Sequence, residues 1–382
     1  MNRSVLTLSS GAFALGAAEF VMMGILPQTA HDMSVSIPTA GSYISSYALG
    51  VCVGTLFLIF GRKLSPKTLI LLFMTIASVG NLLSAIALNS SLLITARFIS
   101  GLPHGAFFGA ATIAAKSLAS KGKEAQSVAV MVTGQTVANM LGVPAGTFLA
   151  ATISWRWAFA LLGIWSFLTF LFVFLWLPRI KPVKDIGLLG QFRFLKEIKP
   201  WFVLAAVLLG NTGVFCWWSY VSPWFKQIGQ YTDQQVPWMM MLAGAAMVVG
   251  GIMGGKVCDL WRKGGAAAIG QLCNTVGLLL IFLIANDKPT VILCTIIISF
   301  GAYFIASPQQ VLMAEAGKGG GELIGGASVQ IAFNIGNALG AIIGGIMLNS
   351  HQMDYHYPAL GGLPCAIVAV IFLTIFTLKY EK

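Results

Sequence analysis

GAFF at residues 105–108 returns as GAYF at residues 301–304, a shift of 196 positions. The same shift lays Pro27 on Pro223 and Val53-Gly54 on Val249-Gly250. At a shift of 195, Gln135-Thr-Val-Ala-Asn139 falls on Gln330-Ile-Ala-Phe-Asn334. Chance gives any one of these matches, but hardly all four at nearly one shift. The chain reads as two like halves in parallel orientation, related by an axis along a membrane normal.

The membrane itself comes from composition. Of 382 residues, 57% are hydrophobic and only 9% charged, where a soluble domain is about a quarter charged. That excludes an ordinary globular protein and leaves a polytopic membrane protein. Apolar runs of about 20 residues predict spans near 4–30, 39–60, 66–88, 91–118, 126–152, 156–178, 200–226, 234–258, 264–285, 288–315, 321–349 and 358–379. The predicted fold is all-α: twelve transmembrane helices in two pseudo-symmetric six-helix bundles, 1–178 and 200–382, joined by a linker at 179–199. Nineteen of the 23 basic residues fall on one side of this threading. The positive-inside rule then places both termini in the cytoplasm and explains the net charge of +11 without nucleic acid. The linker reads equally as an amphipathic surface helix or as plain connection. The first span serves as its own insertion signal. Six cysteines without a CxxC pair read as small packing residues.

Motifs narrow the class. GQTVANMLGVPAG at 134–146 places Gly134, Gly142, Pro144 and Gly146 in the fifth span. Arg97 precedes GLPHGAFFG at 101–109 in the fourth, and Gly61-Arg62-Lys63 follows the second. On these residues the chain resembles the major facilitator superfamily over its whole length. The likeness is greatest to the arabinose-efflux-permease-like group of the drug/proton antiporters, in which an AEF in the first span and a PHGAFFG in the fourth recur. Three positions depart from the pattern. Ala138 and Thr147 stand where the family has glycines, and Leu58 where its loop has an acid. The second half keeps that acid as Asp259, with Arg262-Lys263 beyond it. The resemblance assigns conformational roles to Gly142, Pro144, Gly146, Arg62, Asp259 and Arg262. Pro103 and Pro144 inside spans are expected to bend their helices.

Glu19, in AAEFVMMGILP at 17–27, is the only acid of twelve well inside a span. A charged carboxylate there costs about 2.5–3.5 kcal/mol, so a carboxyl that gains and loses a proton as its surroundings switch is the functional reading. Permanent structural pairing is the alternative. His104 and Arg97, seven residues apart, share one face of the fourth span, and the superfamily's cavity is lined by first and fourth spans. These three form the proton-coupling set. For His104, neutral packing competes evenly with that role. For Arg97, a charge pair with Glu19 competes with binding to backbone carbonyls. Substrate candidates are the paired amides Gln135, Asn139, Gln330 and Asn334, the seventh-span residues Asn211, Phe215, Trp217 and Trp218, and Tyr47 and Phe108. Interhelical hydrogen bonding competes for the amides. Membership in an interfacial aromatic belt competes for Trp218, Tyr220 and Trp224.

No enzyme signal competes: GKGGGELIGG at 317–326 follows a membrane span rather than a strand, and no Walker A, catalytic triad or metal spacing is present. The expected function is proton-coupled export of a small organic solute (sugar, nucleoside or amphipathic drug) across the cytoplasmic membrane by alternating access. Its partners are the substrate, protons and lipid, it uses no cofactor, and the superfamily implies a monomer. Proton-coupled uptake on the same scaffold and a non-transporting sensor are the alternatives; a channel would need a ring of filter residues.

Overall fold

A computed structural model describes residues 3–120, 123–180, 193–316 and 322–381. Within them the chain crosses as α1 (Arg3–Asp32), α2 (Ile37–Thr55), α3 (Pro66–Ala85), α4 (Ser90–Leu118), α5 (Gln126–Thr152), α6 (Trp155–Trp176), α7 (Ile198–Gln227), α8 (Val236–Leu260), α9 (Lys263–Ile284), α10 (Lys288–Met313), α11 (Glu322–Ser350) and α12 (Tyr357–Tyr380). Eleven of these are long and apolar enough to span a membrane. The exception, α2, is more polar because it carries Ser42, Tyr43, Ser45, Ser46 and Tyr47. Its 19 residues still rise about 28 Å.

Short polar turns begin the helices. Ser36, Ser65, Asn89 and Ser154 each accept a backbone N–H from the first turn of the helix that follows. Asp287 closes a capping box with Thr290 ahead of α10. The expected prolines have local effects. α4 breaks at Leu102, before Pro103. In α5, Pro144 lacks an N–H, and the ladder widens before it into a π turn at Ala138–Gly142, where the Val143 N–H reaches the Ala138 carbonyl.

Packing repeats between the halves. α1 lies on α5 and α6 as α7 lies on α11 and α12; α2 crosses α4 as α8 crosses α10; α3 lies on α4 and α6 as α9 lies on α10 and α12. Glycine sets the second of these crossings on both sides. A Cβ at Gly54 would run into the Leu102 carbonyl, and one at Gly250 into that of Phe300. The halves meet through α2 against α11 and α5 against α8. Two departures from the family's pattern are offset in place. Thr147 packs into the space left by Gly24 on α1, and Leu58 is buried against Gly109.

The apolar core is asymmetric along the membrane normal. At the end away from the termini a single cluster joins the halves, with Met22, Met23 and Leu26 alongside Trp217, Trp224 and Met240. At the terminus-bearing end it splits into one cluster around Leu8, Phe73 and Phe107 and another around Val207, Met313 and Leu373. The bundles are closed on each other at the far end and diverge toward the termini. Trp218, Tyr220 and Trp224 lie inside that far-end core, each under 5% exposed, so the aromatic-belt reading of these three is corrected. Their turn lies on the bundle side of α7.

Most of the linker, 181–192, lies outside the described residues. Arg193–Lys196 is a 3-10 turn with Phe194 buried. The side chain of Arg62 and the GKGGG segment also lie outside them.

Candidate functional site

Glu19 sits halfway along α1, 2% exposed, in a helix whose surroundings are almost wholly apolar. Its Oε2 lies 3.5 Å from His104 Nε2, and its Oε1 has no hydrogen-bond partner among the described residues. His104 Nδ1 is 2.9 Å from the Tyr47 hydroxyl, which is also 3.2 Å from the Leu15 carbonyl. The sequence-predicted neighbours Glu19 and His104 therefore meet, and Tyr47 joins them. The Phe108 ring stacks obliquely on His104 at 5.3 Å.

Arg97 is fully buried behind this group. Its Nη1 donates to the Ala18 carbonyl at 2.9 Å and its Nε to that of Tyr43 at 3.4 Å. The guanidinium lies 4.4 Å from the Tyr47 ring centre and 5.2 Å from that of Phe159. Among the described residues its partners are carbonyls and rings, and it acts on Glu19 as a nearby positive charge. The central turns of α1, α2 and α4 place all four residues, and Gly101, packed on the Tyr47 carbonyl, lets α4 come close enough.

Phe20, the residue after Glu19, faces a partly open pocket lined mainly by the second half. Asn211, Phe215 and Trp218 line it from α7, Met247 from α8, Ile298, Ser299 and Tyr303 from α10, and Phe333 from α11. Three of the sequence-predicted substrate residues are on that wall. The rest are placed elsewhere. Trp217 packs at 5.0 Å against Trp224 in the far-end core. Gln135 is half-buried against Gly16 of α1, and Asn334 donates to the Gln330 carbonyl of its own helix. Asn139 reaches across the halves to donate to the Tyr303 hydroxyl. It touches the cavity wall through that residue. Its π turn packs on Gly244 of α8.

Tyr303, Ser299 and Phe333 were not legible as site residues. Tyr303 had a signal: it is the hydroxyl-bearing member of GAYF, aligned with Phe107 of GAFF. Of the conformational set, Gly142 packs on Phe13 and Ala17, and Gly146 on Val21, so the fifth-span motif forms the seat of α1 around Glu19. Asp259 and Arg262 are exposed at the terminus-bearing end, where an ion pair joins Lys263 to Glu315.

This arrangement has a known setting. A model of the Major Facilitator Superfamily matches residues 8–329. The chain belongs to that superfamily. It is a multi-pass membrane transporter of small molecules, not an enzyme, and its relatives include efflux carriers. AraJ of Escherichia coli (strain K12) is 37% identical over 383 aligned residues, covering 100% of this chain and 96% of the relative. A "Probable sugar efflux transporter" of Helicobacter pylori (strain J99) is 25% identical, covering 99% and 96%. Among solved structures, a bacterial homologue of the human lysosomal transporter Spinster, in an inward-facing and unoccupied conformation, superimposes with a TM-score of 0.71. It covers 98% of this chain and 95% of that one at 15% identity, a likeness of fold.

Proposed function

We propose that this transporter is a proton-coupled exporter, in which Glu19, His104 and Tyr47 bind and release the exchanged proton. One observation carries the reading: one set of heavy-atom positions accommodates two hydrogen-bond arrangements. With Glu19 ionised, His104 Nε2–H faces the carboxylate across 3.5 Å and the Tyr47 hydroxyl donates to Nδ1. With Glu19 protonated, the acid donates to Nε2, Nδ1–H donates to Tyr47, and Tyr47 donates to the Leu15 carbonyl. The histidine remains neutral throughout and changes tautomer. No buried donor in the relay is orphaned in either state, which keeps the proton's exchange free of the desolvation cost of an unpaired polar group. Arg97 supplies fixed positive charge that offsets the ionised form.

Coupling follows from position. Glu19 is adjacent in sequence to Phe20 of the cavity wall, so loading of the cavity and protonation act on one turn of α1. The halves 1–178 and 200–382, tethered by 179–199, rock about the cavity, and the closed far end is the extracellular one when the basic loops face the cytoplasm. A proton from outside then favours substrate release, and its loss to the cytoplasm resets the site in the bacterial inner membrane. The exporter acts as a monomer.

The test is proton release from purified, reconstituted protein across pH 5 to 9 (about the range in which a perturbed carboxyl titrates) as sugars, nucleosides and amphipathic compounds are added. Substrate-triggered release that disappears in Glu19→Gln supports antiport. Binding with no proton change, the same in the variant, refutes it.

A further inference from the structure

Among the described residues, the cavity wall contains no charged side chain: neither acid, lysine, arginine nor histidine lines it. Glu19 is not part of that wall: its Oε2 lies 3.5 Å from His104, and it reaches Tyr303 only as a nearby charge. A cationic substrate would enter without a carboxylate to meet it and an anionic one without a base, and desolvating either charge unpaired is far more costly than a cation–π contact returns.

Polar groups on the wall are few and specific. The Trp218 indole Nε1–H is buried and has no hydrogen-bond partner among the described residues, and the same is true of the Ser299 hydroxyl. Asn211 spends its Nδ2 on the Val207 carbonyl of its own helix. The Tyr303 hydroxyl already accepts from Asn139. The remaining surface is aromatic. Phe215 stands between Phe20 and Phe333, with ring centres 6.2 and 5.4 Å away. A free hexose carries a hydroxyl on nearly every carbon, and each one buried here without a partner costs about 1–3 kcal/mol. The wall offers too few groups to satisfy them.

We propose that the substrate is an uncharged, planar and largely apolar compound bearing a hydrogen-bond acceptor, held by Trp218 Nε1–H and Ser299 with its face among Phe20, Phe215 and Phe333. The assignment rests on the central cavity being the transport site. It departs from the sugar in the Helicobacter relative's name: this wall suits a compound of lactone, quinone or flat heteroaromatic type.

The test is equilibrium binding to the full chain in lipid nanodiscs, using the fluorescence of methoxycoumarin, a neutral lactone. Its carboxylate and trimethylammonium derivatives are compared under the same conditions, with D-glucose as competitor. Methoxycoumarin is expected to saturate, with both charged derivatives at least about tenfold weaker and no displacement by glucose. Trp218→Phe keeps a ring and loses the donor, so it weakens the lactone about five-fold. Ser299→Ala weakens it similarly, and Ala302→Trp, which fills the cavity, abolishes binding. Ser299→Ala removes a single hydroxyl and tests the wall even if the bulky variant fails to fold. Tighter binding of a charged derivative, or displacement by glucose, overturns the class. Lactone binding indifferent to both small variants overturns the site. Failure here is separable from failure of antiport: proton release triggered by glucose without lactone binding refutes only the class, whereas lactone binding in the cavity without proton release refutes only the coupling.

Discussion

Gln28, near the far end of α1, donates through Nε2 to Asp233 Oδ1 at 3.0 Å, in the loop between α7 and α8. This hydrogen bond crosses between the halves where the core is continuous, so it is made in the far-end-closed state and must break when that end opens. Gln28→Leu keeps a side chain of similar bulk and removes the bond. Asp233 retains Lys226 at 2.9 Å, and its side chain is 47% exposed, so water takes the vacated position and no charge is stranded. Gln28 Oε1 is buried without a partner among the described residues, and losing it returns part of the cost. The net loss is that of one partly screened, charge-assisted bond, about 1 kcal/mol, or about a five-fold fall in the ratio of far-end-closed to far-end-open molecules. Gln28→Glu sets a second carboxylate against Asp233 and shifts the ratio further the same way. The assay is double electron–electron resonance between nitroxides at Ile153→Cys and Trp238→Cys, both exposed at that end, in a background with the native cysteines replaced. Both variants should enrich the long-distance population, Glu more than Leu. Unchanged distances in both, or enrichment of the short population, would refute the claim that this contact holds the far end closed.

Three other outcomes can be checked on the same protein. Gly54→Val forces a branched side chain into the Leu102 carbonyl at the crossing of α2 and α4; thermal unfolding in detergent should show a loss of about 1–3 kcal/mol, where Gly251→Val, with open space around it, should show little. The Asp287 carboxyl, outside the spans, is held below its ordinary 3.8 by hydrogen bonds from the Thr290 side chain and backbone. A depressed acid stabilises the fold above its unfolded value and loses that contribution as pH falls through the folded one. The unfolding temperature of Asp287→Ala should therefore lie below the parent's at neutral pH, and the two should converge as the pH drops through the acid range. In the reconstituted antiport assay, Tyr47→Phe leaves His104 Nδ1 with no hydroxyl in either arrangement, so it should slow substrate-triggered proton release while substrate still binds; an unchanged rate would remove Tyr47 from the relay.

Much of the architecture could be read from the chain. Each hydrophobic run is long enough to span, and a lipid solvent forces such a run into a helix because no other local structure satisfies its backbone. The internal repeat then implied matching packing in the two halves, and the paired crossings at Gly54 and Gly250 follow from it. Glu19 stood out because a lone acid in an apolar run has no cheap explanation, and the seven-residue spacing of Arg97 and His104 fixed their common face. Local pattern could not say which way a polar side chain turns once helices pack. Asn334 folds back on its own helix, and Asn139 crosses to the other half, although both occupy the same place in the repeat. Trp217 and Trp218 are adjacent, yet only the second reaches the cavity, because successive helical residues point about 100° apart. Period and composition were properties of the sequence. The Glu19–His104–Tyr47 contact, the uncharged cavity wall and the closing of the far end were decided only by tertiary packing, since each joins residues from different helices whose rotation and tilt are set by their neighbours.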